Sequence, residues 1–393
     1  MTAPRYLDHA ATTPVREEAL AAWVAVTREV FGNPSSHHHV GERAKAVLEE
    51  ARARIARVLG CRPGEVVLVS GGTEANNLAV LGIARAAGPE AKHLVTTAIE
   101  HDSVRRAVEH LVEREGFTAT ALRPDERGLL DPERVAAAVR DDTALVSIAL
   151  ANNEIGAVQP IADIAAALAD RDRSLPGRAR LHTDAVQAAG WLPVRLDALG
   201  ADALTVAGHK VGAPRGTGVA VIRRRVPVEP LLHGGEHERG RRAGTENVAG
   251  AVALAVALEL AEAEREAAAA AAAASRDAFL AEVRRRIPQA RLTGPEPGPQ
   301  RAPQLASLVL EGVSGESVLL ELERRGVIAS PGSACAAGSD EPSHVLTAIG
   351  VERELAQTAL RFSLPHGPAA ADCFAGVADA LVDAVRAVSG LRA

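Results

Sequence analysis

Aromatic side chains are scarce in this chain, at 2% of its 393 residues. Without them there is no platform on which the bases of single-stranded nucleic acid would stack. Cysteine is sparse too. Cys61, Cys335 and Cys373 are too few and too dispersed for a disulfide framework. No apolar run reaches the roughly 18 residues that a membrane-spanning helix needs. The alanine stretch at 267–274 is too short and has charged flanks. Neither sign of charge dominates: the net value of -6 argues against a general polyanion binder. The run Arg223-Arg224-Arg225 reads as a solvated surface. No basic-plus-apolar leader opens the chain. These absences point to a reducing cytoplasm, where a free thiol can work as a thiol. Neither membrane insertion nor direct nucleic-acid binding is expected.

What is present is ordinary for a soluble enzyme with a proper core: 47% apolar and 24% charged residues. The length suits one large domain plus a smaller one, or two comparable domains. From about residue 16 to 249, short Val/Ile/Leu-rich runs alternate with amphipathic segments. Val66-Val67-Leu68-Val69, Leu94-Val95-Thr96-Thr97, Leu145-Val146-Ser147-Ile148, Leu204-Thr205-Val206 and the run 218–222 read as buried strands. Segments 131–140 and 161–170 have helical spacing, the first opened by Asp131-Pro132. This alternation predicts an α/β fold with a mostly parallel sheet covered by helices. One long Ala/Glu/Arg-rich helix is expected from 247 to about 286, ended by Pro288. Beyond an exposed connection at 294–303 come a strand at 306–310, a helix at 316–325, a strand at 359–364 and a terminal helix from 368 to about 388.

Four features look built to serve one another. Lys210 follows the strand Ala203-Leu204-Thr205-Val206; a lysine held among apolar groups or other cations can form an imine. Beside it, His209 is placed to meet a phosphate. Ser70-Gly71-Gly72-Thr73-Glu74 follows a strand and opens a helix, as an anion cradle would, and equally as a plain strand-to-helix turn with Thr73 as its cap. It is neither a Walker loop nor a G-x-G-x-x-G turn. Asp184 closes another strand, with Gln187 three residues on. A carboxylate there would keep a pyridine nitrogen protonated, although on this segment alone a helix cap is the simpler reading. Cys335 lies in the small-residue loop 332–338, where an accessible thiolate would be nucleophilic. His101, after another strand, would stack on a cofactor or shuttle a proton. The triplet His37-His38-His39 has no supporting ligand spacing, so no metal site is expected; His38 would be a wall residue.

The order and spacing of these segments resemble the cysteine desulfurases of the NifS/IscS type. These lie in the class V aminotransferase group of fold-type I pyridoxal-phosphate enzymes. The resemblance runs through 6–14, Gly32-Asn33-Pro34-Ser35-Ser36, 70–77, 98–101, 151–156 and 182–189. It continues through Gly208-His209-Lys210, 238–240, 243–247, 332–338, 341–346 and 360–364. It implies a large cofactor-binding domain over 13–255 with a mostly parallel seven-stranded sheet. A smaller α+β domain would comprise 1–12 and 256–393 and carry the cysteine loop. It also implies roles. Lys210 would hold pyridoxal 5'-phosphate as an imine and move the substrate Cα proton, His101 would stack on the ring, Asp184 would meet the pyridine nitrogen and Gln187 the phenolic oxygen. Gly72, Thr73 and His209 would hold the phosphate, helped by Thr245 from the other subunit of a homodimer. Asn153, beside the cofactor, and Arg361 would bind the substrate carboxylate.

Cys335 would take sulfur from L-cysteine, leaving L-alanine, and pass the persulfide to an acceptor protein for iron–sulfur cluster assembly or tRNA or other thiolation. It is also a candidate transient ligand of a nascent cluster. Three positions depart from the pattern: Ala207 where serine is usual, His9 where asparagine is common, and Pro331 before the cysteine loop. The competing readings are a selenocysteine lyase or other class V enzyme, and a sulfur-pathway scaffold without catalysis.

Overall fold

A computed structural model describes residues 4–172, 179–332 and 341–390. A short strand, β1 (Arg5–Tyr6), opens it. The central sheet follows, built from β2 (Val66–Val69), β3 (His93–Thr97), β4 (Thr118–Leu122), β5 (Thr143–Ser147), β6 (Arg180–Asp184), β7 (Ala203–Ala207) and β8 (Gly218–Ile222). Their order is β2-β8-β7-β6-β5-β3-β4. Neighbours run parallel except around β8, which is antiparallel to both β2 and β7.

Strands β3, β5, β7 and β8 are buried at every residue. Helices cover both faces, so their apolar runs need no polar side. The edge strand β4, with its Thr/Ala alternation, is largely exposed. Its weak apolar signal left it out of the expected strands. The carboxyl ends of β2, β3, β5, β6 and β7 all reach one edge, where open α/β sheets bind ligands.

The long helix runs from Val248 to Arg286, close to its expected bounds. Asn247 Oδ1 caps its start by accepting from the Gly250 amide at 2.9 Å. Its first half, through Ala261, packs into the apolar cluster beneath the central sheet. From Ala268 on, it packs into a second cluster with Leu7, Leu308, Phe362 and Leu381. That second cluster surrounds a three-stranded antiparallel sheet, β12-β10-β9, of β9 (Ala290–Leu292), β10 (Leu305–Leu310) and β12 (Leu360–Ser363). Three of the chain's five phenylalanines gather here: the Phe279 and Phe374 rings stack at 4.2 Å, with Phe362 edge-on to Phe279 at 5.2 Å. The opening strand β1 pairs in parallel with β11 (Val327–Ile328), so the N-terminus joins this second body.

Two expectations need correcting. The connection at 294–303 is exposed only over 296–300; Arg301 is 2% and Ala302 1% exposed. The terminal helix does not run unbroken from 368. A 3-10 turn at Pro368–Asp372 precedes the α-helix Val377–Gly390, and Gly376 between them has φ +73°. That left-handed turn re-aims the chain so the helix can pack on Gly315–Arg324.

Candidate active site

Loops leaving the carboxyl ends of the central strands surround a cavity of about 640 Å³. Gly72, Thr73, His101, Asn153, Asp184, Gln187, His209, Lys210 and Arg361 all line it. Cys335 lies outside the described residues. Thr245 is exposed and borders a separate hollow of about 240 Å³ with Ser70, Gly216 and Arg242.

Lys210 is delivered by β7 through the 3-10 turn Gly208–Lys210. This turn demands glycine at 208: a Cβ there would stand 2.1 Å from Thr217 Oγ1. Lys210 Nζ donates to the carbonyls of Ala10 and, at 2.7 Å, Ala11. The Gln187 amide also donates to the Ala10 carbonyl, at 2.9 Å. The segment at 10–11 therefore forms a wall of the cavity, held by two of the residues expected to face a cofactor. His209 Nδ1 lies 3.2 Å from Thr12 Oγ1. Burial, aided by Lys210 and Arg215, holds His209 down to about 4, so it is neutral at physiological pH.

Asp184, at the end of β6, is 7% exposed. Its Oδ1 accepts from the Val186 amide at 2.8 Å and its Oδ2 from Asn76 Nδ2 at 2.6 Å. No cation neutralises it among these partners. His101 both lines the cavity and caps the helix Asp102–Glu115, its Nδ1 accepting from the Ser103 amide at 3.0 Å. The same side chain therefore serves as a helix cap and as part of the cavity wall. His38 takes only the cap: it accepts from the Gly41 amide at 3.3 Å and does not line the cavity. Among the described residues, no group of three or more His, Cys, Asp or Glu side chains is placed to hold a metal ion.

Arg361 comes from β12 and closes the opposite side. It is 1% exposed, with Nη2 donating to Asp8 Oδ1 at 2.7 Å and to Ser330 Oγ at 3.2 Å. Its Nη1 donates to the Asn153 carbonyl at 3.1 Å, and its buried Nε has no partner.

Sequence reasoning missed several groups around this cavity. Asn76 is fully buried behind Asp184. Glu100 is buried under His101; its Oε1 accepts from Thr97 Oγ1 at 2.8 Å and the Ala149 amide at 3.1 Å, and its Oε2 has no partner. Burial pushes it up to about 8. Glu154 is likewise pushed up by burial, to about 7, against the hydrogen bond it accepts from Ser343 Oγ. Both lie in segments already singled out, yet a sequence does not reveal which carboxylates lose water. Asp8 sat in a quoted motif without a role.

The chain compares closely with known proteins. The aminotransferase class-V family profile matches residues 5–372. A cysteine desulfurase IscS of Dictyoglomus turgidum is 43% identical over 359 residues, covering 91% of this chain and 89% of that protein. A solved structure titled as a NifS-like protein superposes with a TM-score of 0.87 at 32% identity, over 98% of this chain and 100% of that one. Another, titled SspA in complex with cysteine, reaches 0.79 at 34% identity, over 92% and 99%. A sheet that delivers a lysine, a buried carboxylate and a glycine-opened helix to one cavity agrees with these matches, and the chain belongs to the class V aminotransferase family, in its cysteine desulfurase branch.

Proposed function

We propose that this protein is a pyridoxal-phosphate-dependent cysteine desulfurase, converting L-cysteine to L-alanine and leaving the sulfur as a persulfide on Cys335. The observation that carries the reading is the convergence of Lys210, Asp184, His101 and Arg361 on one cavity. The residues fit the cofactor. Gly72 lies at the open start of a helix, and a Cβ there would stand 3.0 Å from Val186 Cγ2 and 3.2 Å from Ala207 Cβ. Glycine at 72 therefore lets the helix start pack closely on Val186 and Ala207, and the first N–H groups of a helix can meet an anion. Thr73 would add a hydroxyl, and neutral His209 a hydrogen bond rather than a charge. Ala207 offers no hydroxyl, a loss worth about 1 kcal/mol of phosphate binding. Asp184, supported by two N–H donors and no cation, would meet a protonated ring nitrogen.

Once bound, the cofactor supplies an electron-withdrawing ring and a carbonyl carbon that joins to amines. Lys210 Nζ would anchor it, then take the Cα proton of L-cysteine and return a proton to the product. Arg361 would grip the substrate carboxylate with Asn153 beside it, after exchanging Asp8 for the substrate. The Cys335 thiolate would take the substrate sulfur. The carbon that loses sulfur gains a proton, so thiol plus cysteine gives persulfide plus alanine without an external oxidant.

The remaining parts of the proposal are a division into 13–255 and 1–12 with 256–393, a homodimer in which Thr245 reaches the neighbouring cavity, and a cytoplasmic sulfur-acceptor protein. Among the described residues, no helix is long and apolar enough to cross a membrane. The decisive experiment is Cys335→Ala in protein loaded with pyridoxal phosphate. Alanine formation from L-cysteine should vanish while the Lys210-dependent visible absorbance stays. Undiminished turnover would move the assignment to a lyase that needs no thiol.

A further inference from the structure

Behind Asp184 and His101 stand four buried polar side chains that the reaction above does not use: Ser147, His182, Thr205 and Asn76, each no more than 2% exposed. Their hydrogen bonds have a direction that the chemistry of each group fixes. Asn76 Nδ2 lies 2.6 Å from Asp184 Oδ2 and 2.8 Å from Ser103 Oγ. The carboxylate settles which end of the amide faces it, because an amide oxygen there would meet a like partial charge. The two Nδ2 hydrogens are thereby used on Asp184 and Ser103. Asn76 Oδ1 then accepts the Thr205 hydroxyl proton, at 2.5 Å. Thr205 Oγ1, having given that proton, accepts from His182 Nε2 at 3.3 Å. His182 Nδ1 accepts in turn from Ser147 Oγ at 2.9 Å. Burial holds His182 down to about 3, so the ring stays neutral and keeps this sense.

The same direction reaches the cavity. Ser103 Oγ accepts from Asn76 and gives its own proton to His101 Nδ1, 2.8 Å away. The Ser103 amide donates to that nitrogen as well, at 3.0 Å. Two donors on Nδ1 leave the single proton of a neutral ring on Nε2.

We propose that Asn76 is a positioning residue that fixes the Asp184 carboxylate and, through Ser103, sets His101 as its Nε2–H tautomer. Neutral His101 therefore offers the cavity a donor, not a lone pair. It is set to give a proton or a hydrogen bond to a developing anion, and it cannot act there as a base unless Nδ1 first loses its donors. The inference relies on the proposed cofactor site only for that consequence; the tautomer itself is read on cofactor-free protein.

The test is long-range ¹H–¹⁵N correlation of the imidazoles at neutral pH in cofactor-free protein, with His101 assigned by signal loss in His101→Gln. The wild-type ring should show an unprotonated Nδ1 and a protonated Nε2. Asn76→Asp keeps the shape but carries at most one proton, shared with Asp184, and has none left for Ser103, and Ser103→Ala removes the hydroxyl. Each should raise the Nδ1–H share about fivefold, the worth of one hydrogen bond. Combining them should add nothing beyond Ser103→Ala alone, because Asn76 reaches His101 only through Ser103. Cofactor binding separates the two arms: Asn76→Asp should bind pyridoxal phosphate about tenfold more weakly, Ser103→Ala with little change. Should Asn76→Asp fail to fold, Asn76→Ser takes its place. A wild-type Nδ1–H ring, an unmoved ring in the Asn76 variant, or a double variant exceeding Ser103→Ala would each overturn the proposal.

Discussion

On the sheet side of the cavity, Asp184, Asn76, Ser103 and His101 satisfy one another through short hydrogen bonds within rigid elements. On the opposite side, Arg361 is held by a carboxylate, a hydroxyl and carbonyls drawn from three distant segments, and its Nε remains unpartnered. In the first wall those four side chains hold one another before anything binds. The second contains an ion pair, Arg361 with Asp8, that a substrate carboxylate would replace in the proposed reaction. A closed wall suits a group that stays; an exchangeable one suits a group that comes and goes. Buried polar groups tolerate no loss of partner, so the sheet side should be stiff in affinity and the Arg361 side adjustable.

The contrast can be broken most severely at Lys210. Lys210→Ala removes both the proposed anchor and the proposed proton carrier, and alanine formation should fall at least about 10⁴-fold, with the visible absorbance lost. Retained turnover above that level would place the chemistry elsewhere. Next comes the substrate side. Arg361→Ala should raise KM for L-cysteine about 10²- to 10³-fold while leaving cofactor loading intact. An unchanged KM would mean that Arg361 never leaves Asp8.

The sheet side has its own signature in pH. A glutamate in the unfolded chain loses its proton near pH 4.5, whereas folded Glu100 keeps it to about 8. That extra bound proton stabilises the fold fully below 4.5, and its contribution is lost as the pH rises to about 8. Glu100→Gln does not titrate, and its Nε2 replaces the unpartnered Oε2. The variant should gain on the order of 4 kcal/mol over the parent between about pH 5 and pH 8.5 in chemical denaturation. A constant difference across that range would show that Glu100 is ionised throughout. The smallest effect is expected at Asp8. Asp8→Asn removes the rival anion, so KM should fall about threefold, opposite in sign to Arg361→Ala. A rise would instead assign Asp8 to orienting the guanidinium.

The two walls were unequally legible. Gly72, Thr73, Asp184, Gln187, His209 and Lys210 each follow a readable strand, and a parallel sheet puts strand ends on one edge whatever the details. The sequence holds a further signal in lysine, unused above: only Lys45, Lys92 and Lys210 occur, with arginine carrying nearly all the positive charge. By contrast, the pairing of Arg361 with Asp8 spans most of the chain. It exists because β1 crosses to join β11, and a two-residue strand leaves no periodic trace. The edge strand β4 escaped for a related reason, its apolar content being too low to mark it.

The sequence by itself determined the alternation of strands and helices, the long helix and the side chains at the sheet's ligand edge, because local spacing and turn chemistry act over a few residues. Only the tertiary structure decided which polar groups lost water and which partner each then took: the elevated carboxyls of Glu100 and Glu154, the neutral His182, and the one-way hydrogen bonds through Asn76. Those follow from burial, and burial is set by elements far apart in the chain.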